Sequence, residues 1–324
     1  MGAPGQQAGE GVEQREEDSA GGHAIIVGGL QGRVRECGYS ASPSVRTVTP
    51  RLTAFGHDGL TFDVDDEGPP TGRPALLLHG FPQDHTAWDG VAGLLHATGL
   101  RTLAPDLRGY SPGARPTGRR AYTLSALTGD VLALLDAAGA DRAHVVGHDW
   151  GGALAWALAG LHPDRVATLT VLSTPHPRAM THAVWRSTQA LRSWYMGFFQ
   201  LPWLPELVVP ARLAGSLHAS GLPSAQAAHY AARMREPGAL RGALAWYRAA
   251  VFDLTEPTPR AAVPTTYVWG RHDLALGRAA ARTTADFVDA EYLFIELDAG
   301  HWLPETRPEE VARAVTERAA TVSG

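Results

Sequence analysis

Val145-Val146-Gly147-His148-Asp149-Trp150-Gly151-Gly152 is the stretch that decides how this chain folds. A short apolar run, residues 143–146, ends in a glycine and a polar pair. A glycine-rich, Ala- and Leu-rich run then continues to residue 161. The first run has the length of a buried strand and the second that of a helix. The glycines leave room for a sharp, strained turn between them. Asp149 sits at the turn, where the unpaired N–H groups of a helix N-terminus favour a carboxylate. An Asp in such a place can simply cap the helix, so the flanking segments have to show whether it does chemistry.

Outward from this turn, strand and helix patterns alternate. Strands are expected at residues 51–55, 60–64, 75–78, 101–104, 143–146, 168–172, 265–269 and 292–297, the first two joined at His57-Asp58-Gly59. Helices are expected at 86–97, 123–137, 150–161 and 308–320. Alternation with near-continuous apolar strands predicts an α/β fold with a mostly parallel eight-stranded sheet flanked by helices. The pattern breaks after Thr174-Pro175-His176-Pro177. Residues 178–262 are helical, aromatic and punctuated by proline, so they are expected to be a cap inserted into a core of residues 49–177 and 263–324. A cap over the carboxyl ends of the strands would close a dry pocket there. Residues 1–48 are rich in Gly, Gln, Glu and Ser and are expected to form a disordered extension. Val27-Gly28-Gly29-Leu30-Gln31-Gly32 has some likeness to a dinucleotide loop, but no helical pattern follows it and no acidic residue closes a second strand.

Composition removes several function classes. All 28 basic residues are Arg, and the chain has neither Lys nor Asn. Without Lys there is no Schiff base and no phosphate-loop ammonium. A net charge of −5 points to neither nucleic acid nor an anionic membrane as partner. Cys37 is the only Cys, which forbids an intramolecular disulfide and suits a cytoplasmic protein. No run approaches the ~18 apolar residues of a membrane helix. Glu10, Glu13, Glu16, Glu17 and Asp18 precede the one short apolar run near the N-terminus, unlike a secretory signal.

An Asp nucleophile implies a particular reaction. A Ser that attacks saturated carbon leaves an ether. A carboxylate leaves an ester, whose carbonyl carbon water can attack to regenerate the Asp. Asp149 therefore points to displacement at sp³ carbon. Leu78-His79-Gly80-Phe81-Pro82 ends a buried strand in a loop, and the backbone N–H groups of Phe81 and Trp150 are the expected oxyanion donors. His79 is expected to stabilise this loop rather than to catalyse. Gly300-His301-Trp302 follows the last strand, and Gly270-Arg271-His272-Asp273 follows the strand before it. The order nucleophile, acid, His is that of α/β-hydrolases. His301 is thus the expected base and Asp273 its orienting acid. Asp298, three residues before His301, is the rival acid.

With these motifs the chain, from about residue 50 onward, resembles the α/β-hydrolase fold and within it the epoxide hydrolase family. His79-Gly80-Phe81-Pro82, Gly147-His148-Asp149-Trp150-Gly151-Gly152 and Gly300-His301-Trp302 look like that family's three core motifs. The resemblance implies two cap tyrosines that hold and protonate the epoxide oxygen. One family Tyr lies five residues before a Gln in an aromatic segment, as Tyr195 does in Trp194-Tyr195-Met196-Gly197-Phe198-Phe199-Gln200. The other follows a Trp late in the cap, as Tyr247 does in Ala245-Trp246-Tyr247-Arg248. Each on its own could be an amphipathic core Tyr. Phenols near pKa 10 are suitable donors to an alkoxide. The implied partners are a small apolar epoxide and water, with no metal or organic cofactor, in a monomer or homodimer. The rival on the same fold is a dehalogenase. Its halide needs N–H donors, typically the Trp after the nucleophile with an Asn in the oxyanion loop or a second Trp in the cap; Trp150 fits, but the loop has Phe81 and the chain has no Asn. A non-catalytic receptor of this fold usually lacks a triad member, and none is missing here.

Overall fold

The computed structural model describes Gly2, residues 51–186 and residues 194–322. The rest of the expected extension, residues 27–32 and Cys37 included, lies outside the described residues.

Eight strands form one sheet: β1 (Ala54–His57), β2 (Leu60–Glu67), β3 (Arg73–Leu78), β4 (Leu100–Pro105), β5 (Ala143–His148), β6 (Val166–Leu172), β7 (Thr265–Gly270) and β8 (Tyr292–Leu297). Their spatial order is β1-β2-β4-β3-β5-β6-β7-β8. β2 is antiparallel to both β1 and β4, and the remaining pairs are parallel. Every residue of β4, β5 and β7 is buried, so these strands show no alternation of apolar and exposed polar residues; the polar ones among them, such as Arg101, His144 and Thr266, are buried as well.

The first strand lies further along than expected. β1 begins at Ala54 and runs to His57, which pairs with Leu60. Asp58 and Gly59 both take positive φ, 50° and 73°. That is a two-residue turn whose twist matches the flanking strands, so the pairing continues right up to it. Residues 51–53 lie outside β1, and Leu52 and Arg51 are held instead by Asp66.

The helices are α1 (Asp89–Ala97), α2 (Leu124–Ala137), α3 (Trp150–Leu161), α4 (Pro177–Arg186), α5 (Trp194–Phe199), α6 (Leu204–Ala219), α7 (Ser224–Arg233), α8 (Ala239–Asp253), α9 (Arg278–Thr283), α10 (Leu303–Thr306) and α11 (Pro308–Ala320). α1 and α11 cover one face of the sheet, and α2 and α3 the other. Nine consecutive residues of α3, Gly151 to Ala159, are buried. A helix apolar all round is a core helix, and this one fixes the turn at its N-terminus. No helix among the described residues is long and apolar enough to cross a membrane.

Helices α4 to α8 form an insert between β6 and β7. Several polar contacts fasten it to the sheet. The Trp246 indole N–H donates to the Arg108 carbonyl at 2.7 Å, and the Trp302 indole N–H to Ser220 Oγ at 2.9 Å. From α7, His229 reaches the buried Asp84 at 2.8 Å and Arg233 reaches the buried Asp106 at 2.7 Å.

Candidate active site

The turn after β5 places Asp149 at the start of α3 with φ 50° and ψ −120°. A non-glycine residue in such a conformation is strained, and strain of this kind collects at functional sites. The surroundings enforce it. A Cβ on Gly151 would stand 2.5 Å from the His79 carbonyl oxygen, so only glycine lets α3 approach the loop after β3. Thr174 Oγ1 donates to the Asp149 carbonyl at 2.8 Å, which fixes the turn from the end of β6. The Asp149 side chain makes no capping bond to α3. Instead its Oδ2 accepts the Phe81 N–H at 2.8 Å. Burial raises the Asp149 carboxyl above the ordinary carboxylate range, and the pull of His301 and of the neighbouring Phe81 and Trp150 N–H groups offsets this only in part.

His301 follows β8 and turns its two ring nitrogens to two carboxylates. Nδ1 lies 2.8 Å from Asp273 Oδ2, and Nε2 lies 3.8 Å from Asp149 Oδ1. Asp273, fully buried at its carboxylate, is fixed by the N–H groups of Ala275 and Leu276 on its other oxygen, at 2.8 and 2.9 Å. Burial disfavours the imidazolium, but Asp273 and then Asp149 outweigh it and hold His301 up at about 9. Asp298 turns away: it pairs with Arg271 and His272 at the surface. His79 is fully buried and held by Gly80 O and the Leu107 N–H, at 3.0 and 3.1 Å. That is the loop-fastening place the sequence suggests.

Two cavities meet at the Asp149 carboxylate. One, of about 610 Å³, is lined by Phe81, Phe198, Phe199, Leu213, Leu217 and His301 among others. A second, of about 440 Å³, extends past Trp150, Thr174, Met196 and Leu276. Asp149, Tyr195 and Tyr247 line both. Tyr195 comes from α5 and Tyr247 from α8, and their ring centroids are 6.1 Å apart. Gln200 Nε2 donates to the Tyr247 carbonyl at 2.6 Å. Arg248 binds the carbonyls of Phe199 and Leu201 and pairs with Glu206. These bonds couple the segment that carries Tyr195 to the helix that carries Tyr247. Burial raises both phenols well above their ordinary pKa, and the Asp149 charge adds to it. Both therefore stay protonated at neutral pH. Of the insert aromatics, Phe198 and Phe199 face the first cavity, whereas Trp203 is 70% exposed. No cluster of three or more His, Cys, Asp or Glu that could hold a metal occurs among the described residues.

Sequence reasoning missed a buried polar layer beneath these groups. Gln83 Oε1 accepts the Gly80 N–H at 2.8 Å and lies 2.9 Å from His148 Nδ1; His148 Nε2 lies 2.9 Å from the His301 carbonyl. Ser173, at φ 65°, donates to that same carbonyl at 2.7 Å. Gln83 in turn donates to Glu305 at 2.7 Å. The available signal was position: Gln83 and His148 lie within two residues of the oxyanion loop and of Asp149, yet nothing in the sequence says that they meet.

An Asp on a strand-to-helix elbow, a loop N–H donor on its carboxylate and a buried Asp–His pair, all at the carboxyl ends of a mostly parallel sheet, define an α/β-hydrolase. Residues 74–308 match the alpha/beta hydrolase fold family, and the chain belongs to it. It is 33% identical to the AB hydrolase superfamily protein YfhM of Bacillus subtilis (strain 168), over 80% of this chain and 94% of that one. It is 32% identical to epoxide hydrolase A of Mycobacterium tuberculosis (strain ATCC 25618 / H37Rv), again over 80% of this chain and 94% of that one. Among solved structures it is similar to epoxide hydrolase A from Mycobacterium thermoresistibile, with a TM-score of 0.72 and 27% identity, covering 82% of this chain and 96% of that one.

Proposed function

We propose that this protein is an epoxide hydrolase that forms a vicinal diol through an ester on Asp149. One observation carries the reading: Tyr195 and Tyr247 line the same two cavities as the Asp149 carboxylate. A nucleophile and two proton donors thus share one apolar space, as opening an epoxide requires.

Asp149 Oδ1 attacks an epoxide carbon, and the ring oxygen leaves as an alkoxide. Alkoxides are poor leaving groups unless protonated, and the two phenols share that charge and supply the proton. Oδ2 becomes the ester carbonyl oxygen, which already accepts the Phe81 N–H, with the Trp150 N–H as its second donor. Esterification removes the Asp149 charge, and with it part of what keeps His301 protonated. The imidazole, oriented by Asp273, then takes a proton from water, which attacks the ester carbonyl carbon. The two N–H groups hold the oxyanion of the tetrahedral intermediate. Collapse passes the His301 proton to the departing diol oxygen; the second proton of the water, left on the regenerated Asp149 carboxyl, returns to the phenol that gave one up, so that Asp149 is a carboxylate again. The scheme uses no metal or organic cofactor. Phe198, Phe199, Leu213 and Leu217 suit a small apolar epoxide.

The dehalogenase alternative needs the Trp150 indole for halide. That ring packs edge-on against Trp246 and Tyr247, at 5.9 and 5.0 Å, which favours the epoxide reading. Incubation with a styrene-type epoxide and, separately, with a haloalkane tests the choice. Diol without halide release is expected; halide release without diol would reverse the assignment.

A further inference from the structure

Glu305 lies on α10, four residues after His301, and the reaction scheme gives it no part. Its carboxylate is enclosed. Oε1 accepts from Gln83 Nε2 at 2.7 Å and from the Tyr230 hydroxyl of α7 at 3.1 Å. Oε2 is buried and has no hydrogen-bond partner. A buried carboxylate oxygen without a donor is costly.

The groups around it give this carboxyl a direction of action. From its own segment His301 faces it; from the loop after β3, Gln83 and, beyond it, Asp84; from the end of β5, His148. From α7 come Tyr230 and, on either side of it, His229 and Arg233, both of which turn to Asp84. No cation among the described residues pairs with Glu305. His229 and Arg233 are spent on other carboxylates, and burial keeps His148 neutral. His301 is therefore the cationic group that the Glu305 charge meets. The link is also mechanical, because Gln83 joins Glu305 to His148, and His148 touches the His301 carbonyl.

We propose that Glu305 is a positioning residue for His301, whose charge, carried on the Gln83–His148 frame, sets how tightly the imidazole holds its proton. The inference rests on His301 as the base of the proposed reaction. When Glu305 is ionised it favours imidazolium; when it is protonated it releases His301 to act as a base. Burial, opposed by Gln83 and Tyr230, brings the Glu305 carboxyl to about 7, so both forms are populated near neutral pH. Esterification of Asp149 weakens the imidazolium, which in turn favours protonation of Glu305. Glu305 then ceases to hold the proton on His301 at the step that needs a neutral imidazole.

The test reads His301 directly and needs no substrate. The full chain is labelled with ¹⁵N-histidine, and the His301 ring is titrated by NMR, assigned by comparison with His301→Gln. Glu305→Gln keeps the shape and the bonds to Gln83 and Tyr230 but removes the charge. The expected result is a fall of about one unit in the pH at which His301 loses its proton. A shift below roughly a quarter of a unit, or one upward, overturns the proposal. Tyr230→Phe supplies a second reading: with its donor gone, Glu305 ionises at higher pH, closer to where His301 loses its proton, so the upper part of the His301 titration should keep its position while its lower part broadens. A His301 curve that moves equally in both variants would mean that packing, not charge, is the link, and would overturn it. Absence of diol formation by a protein that shows the expected shift would count against the epoxide reading alone.

Discussion

His301 Nε2 stands 3.8 Å from Asp149 Oδ1, facing the carboxylate without bonding to it. The other oxygen, Oδ2, is held by the Phe81 N–H at 2.8 Å. The two oxygens of Asp149 are therefore inequivalent before any substrate arrives. Oδ2 is fixed where an ester carbonyl would need its donors, and Oδ1 keeps its lone pairs for attack.

This arrangement divides the reaction between residues. His301→Gln leaves Asp149 and both tyrosines in place, so alkylation should proceed and hydrolysis should stall. Mass spectrometry of the intact protein after mixing with epoxide should show a stable adduct of one substrate mass. An unmodified protein with normal turnover would remove His301 as the base for water.

The phenols act in the first step. Tyr195→Phe and Tyr247→Phe should each slow alkylation by about 10²-fold if they serve as general acids. Rapid-mixing measurement of Trp fluorescence is a suitable readout, since Trp150 touches Tyr247. Unchanged alkylation rates in both variants would favour halide displacement.

A third expectation concerns pH and the joint between insert and sheet. The Asp106 carboxylate accepts the His85 Nδ1–H at 2.7 Å and raises His85 from 6.5 to about 9. Burial pushes Asp106 up, but His85 and its neighbours win and lower it from 3.8 to about 2. The His85 contribution to stability is complete below pH 6.5 and is lost as pH rises through 9. The Asp106 contribution is present above 3.8 and is lost as pH falls through 2. His301 is likewise raised from 6.5 to about 9, so it adds to the same alkaline loss. Urea unfolding from pH 6 to 9.5 should therefore show a decline that is shallower in His85→Ala, where only the His301 part remains. Parallel profiles would show that the His85–Asp106 pair does not stabilise the fold.

The sheet was legible where burial is simplest. β5, β7 and most of α3 are buried on every side, and their apolar cores, such as Val145-Val146 and Tyr267-Val268-Trp269, say so without help from periodicity. β1 was misplaced because the Asp58-Gly59 turn needs only two residues, whereas the amphipathic pattern around it suggests three. Asp149, Asp273 and His301 could be read because each follows a strand, and a parallel sheet brings the ends of neighbouring strands together. Tyr195 and Tyr247 lie on helices whose relation to the sheet no local pattern encodes, and only a family resemblance pointed to them. Gln83, Ser173 and Glu305 were invisible for a further reason. Each is a polar residue whose meaning lies in partners 65 to 222 positions away, and side-chain hydrogen bonds over such separations leave no periodicity behind.

The central claim is the covalent ester on Asp149, and isotope labelling tests it most directly. One turnover of excess enzyme with a styrene-type epoxide in ¹⁸O-water should place the heavy oxygen in the Asp149 carboxylate. Mass spectrometry of the peptide containing Asp149 should show it, while the first diol released carries little label. Heavy oxygen in the diol from the first turnover, with an unlabelled Asp149 peptide, would mean that water opens the epoxide directly and would contradict the account.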